Sequence, residues 1–187
     1  MADAPRTGDS GLLVPIPEAE ALVGELRLRH DPIASDGVPA HVTVLFPFVP
    51  RAQIGREVRE GLGEVFAAQS SFDYRFERTG RFGDTTVFME PEPADAFLTL
   101  IRAAAARWPE HPPYGGAFEV VIPHLTVGDD LADGEADLLI TRLQEILDRS
   151  GPITGRAAAV TLMTGDQAGR WTTDSVYPLD RGREARD

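Results

Sequence analysis

Two short stretches hold residues that could do chemistry together: His41-Val42-Thr43-Val44 and His124-Leu125-Thr126-Val127. If each is a β-strand, alternate side chains share a face. His41 then stands beside Thr43 and His124 beside Thr126, while Val42, Val44, Leu125 and Val127 turn into a core. Each strand offers one imidazole and one hydroxyl. Any half-exposed strand shows such alternation, so one copy would carry little weight; two copies at matching points of the chain carry more. Two imidazoles flanking one phosphorus suit in-line displacement. The neutral ring takes a proton from the attacking water or hydroxyl, and the protonated ring gives one to the leaving oxygen; an ordinary pKa of about 6.5 keeps both forms accessible. The Thr hydroxyls can donate to non-bridging oxygens, where charge grows in the transition state. Each motif supplies only one metal ligand, with no Cys, His-x-x-x-His or carboxylate cluster beside it, so neither a metal nor a cofactor is expected.

The elements that must position these residues follow a repeated plan. Residues 12–16 read as a strand, and residues 18–29 as a helix with Ala21, Leu22, Leu26 and Leu28 at helical spacing. A strand over 41–46 ends at Pro47, and a helix over 51–68 carries Ile54, Val58, Leu62, Val65 and Phe66 on one side. Residues 72–82 and 85–89 read as a hairpin across Gly83-Asp84. The plan then restarts, since the strand into the acidic, Pro-started helix that reaches Trp108 echoes the run 13–22. A Pro/Gly-rich loop over 109–116 leads to a strand-like 118–122 and the second motif. A helix over 135–149 and strands over 153–164 and 170–179 complete the chain. Each half thus reads strand, helix, His-strand, helix, strand, with a closing hairpin added. The fold class is α+β, α/β-like in its alternation, a sheet domain built by duplication. A single bilobal domain is expected over 12–179, with lobes near 12–84 and 85–179 that could exchange strands, and with disordered ends at 1–11 and 180–187.

His41-Val42-Thr43-Val44-Leu45-Phe46-Pro47-Phe48 and Pro123-His124-Leu125-Thr126-Val127-Gly128 resemble the paired motifs of the 2H phosphoesterase superfamily, in particular its 2'-5' RNA ligase-like and cyclic phosphodiesterase branch. The resemblance implies a bilobal fold with mainly antiparallel sheets around a central cleft. It also implies that His41 and His124 are the acid/base pair, that Thr43 and Thr126 hold the phosphate, and that a 2',3'-cyclic or related phosphodiester is opened. The chain is therefore expected to be a phosphoric diester hydrolase acting on a small nucleotide or cyclic phosphate, and RNA ends are a further substrate class. Ligase-type members often carry a basic residue after the second motif, where Gly128-Asp129-Asp130 stands here. Alternatives are 2'-5' RNA ligation, a specialised metabolite phosphoesterase, and a nucleotide-binding module without turnover.

The charge balance points the same way. Net charge is −12, and all 18 basic residues are Arg. A long polyanion needs many basic contacts, so an extended nucleic-acid track is not expected. No Cys is present, the start of the chain has no signal-peptide pattern, and no apolar run approaches a membrane span. A cytoplasmic monomer is expected. Tyr114, in a mobile loop, and Arg170 with Trp171, at the final hairpin, are candidate substrate contacts: Tyr114 and Trp171 to stack on a base, Arg170 to meet phosphate. Each has a plainer reading as surface cover or core. His30 and His111 read as loop histidines.

Overall fold

The computed structural model describes residues 9–180. The first half runs β1 (Ser10–Pro15), α1 (Pro17–His30), a one-turn α2 (Pro32–Ser35), β2 (His41–Leu45), α3 (Arg56–Ala67) and β3 (Phe72–Phe82). The second runs β4 (Thr86–Glu92), α4 (Ala94–Arg107), β5 (Leu125–Gly128), α5 (Glu135–Ser150) and β6 (Ile153–Ala157). The hairpin β7 (Ala159–Gly165) and β8 (Trp171–Pro178) closes the chain. The strand-helix-strand-helix-strand unit therefore occurs twice. The ends expected to be disordered lie mostly outside the described residues, but Ser10 and Gly11 already pair with Thr164 and Met163 in β1.

The strands form two antiparallel sheets, in the orders β2-β1-β7-β8 and β5-β4-β3-β6. Sheet membership does not follow the halves 12–84 and 85–179: β3 joins the second unit's strands, while β7 and β8 complete the first sheet. Each motif strand is the edge of its own sheet, and the two edges, β2 and β5, approach one another. The helices cross over in the same way, since α1 packs against β5 and α4 against β2. One apolar core results, shared by both sheets; it includes Val14, Val42, Val44, Phe66, Phe76, Met89, Phe97, Leu125, Val127 and Leu143.

Four expectations are corrected. In α1 the buried stripe is Ala19, Val23 and Arg27, whereas Ala21 is exposed and Leu28 is 62% exposed. The i, i+4, i+8 spacing selects that stripe, and Arg27 joins it because every part of its head finds a partner. Residues 51–53 form a separate 3₁₀ turn, and α3 starts only after Gly55. The stretch 118–122 is not a strand: it joins neither sheet, Phe118, Val120 and Ile122 are exposed, and Pro123 has no N–H to give. The run 153–164 is two strands, β6 and β7, which lie in different sheets.

Candidate active site

β1 pairs with β2 so that Leu13 lies opposite Thr43 and Pro15 opposite His41. β4 pairs with β5 so that Phe88 lies opposite Thr126. Opposed residues share a face, and Val42, Val44, Leu125 and Val127 are all in the core. Both His-Thr pairs consequently project from the side of the sheets that faces away from the helices, half-buried in each case. His124 is near enough to His41 for its charge to act on that ring.

The two imidazoles are anchored identically. Nδ1 of His41 lies 2.7 Å from the Pro39 carbonyl, and Nδ1 of His124 lies 2.7 Å from the Ile122 carbonyl. A carbonyl oxygen only accepts, so Nδ1 carries the hydrogen, and Nε2, on the far side of each neutral ring, holds the lone pair. Burial holds His41 down to about 4; the Pro39 carbonyl opposes this, while the charges of Arg27 and His124 add to it. His124 is also lowered by burial, against the pull of the Ile122 carbonyl and the Asp129 carboxylate. Asp129 is held by a 2.6 Å hydrogen bond from Thr86 Oγ1. Two aromatic rings wall His124: Phe82 edge-on at 5.0 Å and Phe88 at 5.3 Å.

Tyr114 comes from the loop before the second motif and reaches the first. Its N–H donates to the Phe46 carbonyl at 2.6 Å, and its phenol is pushed up to about 12 by burial, against the neighbouring Thr43 hydroxyl. Its backbone is held at φ 54, in a left-handed conformation that a non-glycine residue adopts at a cost. Trp171 is 8% exposed, packs edge-on to Phe46 at 5.9 Å, and belongs to a small cluster with Leu13, Val38 and Met163. Little of its ring is open to a stacked base. Arg170 is exposed at the β7–β8 turn beside Asp166, 3.5 Å away. His30 is the last residue of α1, and its carbonyl accepts the Asp129 N–H at 2.7 Å. His111 stacks edge-on near Phe48.

Sequence reasoning missed Arg27, which is 1% exposed and lies behind both motifs. Its available signal was a charged residue four and eight positions after Val23 and Ala19, with Asp31 one turn further on. The aromatic wall of Phe82 and Phe88 was also missed, because only strand pairing brings it to His124.

The family model of the 2'-5' RNA ligase superfamily matches residues 15–169. Among solved structures, E. coli LigT complexed with 3'-AMP superposes with a TM-score of 0.61 at 15% identity, covering 93% of this chain and 99% of that one. TT0787 of Thermus thermophilus superposes with a TM-score of 0.63 at 18% identity, covering 94% and 99%. E. coli LigT complexed with NADP+ gives 0.58 at 15% identity, over 93% and 99%. No match was found among curated protein sequences. The structural likenesses carry the fold, and the family match, which spans both motifs and most of the chain, supports a phosphoesterase-type function: this chain belongs to the 2'-5' RNA ligase superfamily.

Proposed function

We propose that the chain is a metal-independent phosphodiesterase that opens 2',3'-cyclic phosphates or related small nucleotide phosphodiesters by two-histidine acid/base catalysis. The observation that carries this reading is the matched anchoring of His41, the first residue of β2, and His124, the residue before β5, each with a Thr two residues on, where these two edge strands approach one another. In the proposed step, water gives a proton to the lone pair on Nε2 of one imidazole as its oxygen attacks phosphorus. The bond from phosphorus to one ribose oxygen breaks, and that oxygen takes the proton from Nε2 of the other, protonated imidazole. Thr43 and Thr126 donate to the non-bridging oxygens, and the Tyr114 phenol, beside Thr43, is placed to add a third donor.

The surroundings favour His41 as base and His124 as acid. Arg27 disfavours a proton on His41, whereas Asp129 favours one on His124. An anionic substrate between the rings raises both, and the ring beside the carboxylate charges first. A small substrate is favoured over an RNA track because the net charge is −12 and the arginines Arg75, Arg78 and Arg156 on the second sheet each stand beside a carboxylate, Glu77, Glu90 and Asp73, that would repel a phosphate backbone. The neighbour complexes with 3'-AMP and NADP+ accord with a nucleotide-sized ligand.

The test is turnover of 2',3'-cyclic mononucleotides by His41→Ala and His124→Ala, run beside 2'-5' linked dinucleotides and RNA ends. Each variant should lose on the order of 100-fold to 10,000-fold in kcat while keeping a native circular-dichroism spectrum. A folded variant with wild-type turnover overturns the mechanism.

A further inference from the structure

We infer, on the two-histidine reading above, that Arg27 is a positioning residue of the site: a clamp behind the cleft that ties the strand carrying Thr126 to the segment leading into His41. Its Nε–H donates to the Thr126 carbonyl at 3.1 Å and Nη1 donates to the Val38 carbonyl at 3.3 Å. Nη2 donates to Asp31 Oδ2 at 2.7 Å, which fixes the fork from its own helix. Glu20 stands 3.6 Å from Nη1 and also accepts the N–H of Ala40, the residue before His41. One guanidinium therefore bonds the main chain of the second motif and, one residue from the carbonyl that anchors His41, the approach to the first. Thr126 lies in β5, the edge of one sheet, whereas Val38 lies in the loop that enters β2, the edge of the other, and no ladder joins β2 to β5.

The duplicated fold does not itself require this residue. α1 and α4 are both 14 residues long, and the position matching Arg27 in α4 is Ala104, fully buried against the core. A buried ion pair is seldom more stabilising than apolar packing of the same volume, so packing alone gives no reason for a guanidinium here. What Arg27 adds and Ala104 does not is directional: three fixed donors and a permanent charge on one side of the pair. The groups that act on His41 are Arg27, His124 and the Pro39 carbonyl, with Thr43 and Tyr114 on its open side. Those facing Arg27 are Asp31 and Glu20, and Asp129 acts on both Asp31 and His124.

Two variants test the clamp. Arg27→Lys keeps the charge but lacks the planar fork. Arg27→Met with Asp31→Asn removes both partners, so no lone buried charge is left. For Arg27→Lys, kcat should fall on the order of 100-fold, as for a misplacement of about 1 Å, with KM nearly unchanged and the acidic limb of the pH profile in place. The double variant should lose kcat similarly, and His41, followed by NMR titration of the free protein, should titrate at higher pH than in wild type. A folded Arg27→Lys with wild-type kcat overturns the clamp, and so does an unmoved His41 titration in the folded double variant. If the double variant does not fold, Arg27→Lys decides alone. Absence of wild-type turnover on any phosphodiester would instead sink the proposed function, and the His41 titration would still report on Arg27.

Discussion

Nδ1 of His41 stands 2.7 Å from the carbonyl oxygen of Pro39, two residues earlier on the same chain. That bond fixes the tautomer, and burial then holds the ring neutral to about pH 4. The sign of the effect on stability follows directly. The unfolded chain, with its histidines near 6.5, takes up the proton first as pH falls, so stability is lost between about 6.5 and 4 and levels off below. A shift of this size corresponds to on the order of 3 kcal/mol. Denaturant unfolding of wild type and His41→Gln at several pH values between 7 and 4 should show wild type losing stability relative to the variant across that window. Parallel curves would show that the ring is not held neutral.

Thr43 and Thr126 each lie opposite an apolar residue on the adjoining strand, Leu13 and Phe88. Valine has nearly the same shape and a good strand propensity, so Thr43→Val and Thr126→Val remove a hydroxyl with little else. Stability should change by no more than about 0.5 kcal/mol, as at other sites away from the core. If the hydroxyls stabilise charge on the phosphoryl oxygens, kcat should drop on the order of 100-fold to 1,000-fold for each variant. Wild-type kcat in both would remove the threonines from the mechanism.

The parts of the molecule that were legible in the sequence are those governed by local chemistry. His-x-Thr on a strand fixes which side chains share a face, and the repeated order of elements marks the duplication. Side chains whose role depends on which strands become neighbours were not legible. The β3–β4 hairpin is legible as a hairpin, but only the pairing of β4 with β5 brings its Phe82 and Phe88 to His124. Arg27 was hidden for a related reason: Leu22, Leu26 and Leu28 offered a more apolar face than Ala19, Val23 and Arg27, and the crossing of α1 under β5 decides between them. Residues 118–122 have the alternation of a strand but pair with no other strand.

Gly80 illustrates how this long-range packing reaches the site. Gly80 pairs with Phe88 across β3 and β4, and a Cβ at Gly80 would fall 2.5 Å from the Phe88 ring and 3.2 Å from Glu90 Oε1. The ring therefore lies across the glycine, with Phe82 4.3 Å from it on one side and His124 5.3 Å away. Gly80→Ala forces Phe88, one of the two rings that wall the imidazole, to move against Phe82 and His124. The strain should cost about 1–3 kcal/mol, as overpacking does, and kcat should fall at least about tenfold if the wall orients His124. Gly63→Ala is the matched control, because a Cβ there meets nothing within 4 Å and the residue lies inside helix α3. That control should keep wild-type kcat and gain up to about 1 kcal/mol from helix propensity. Thermal melts and steady-state kinetics on the two variants settle the matter: equal kcat in Gly80→Ala and Gly63→Ala would mean that the aromatic wall does not position His124.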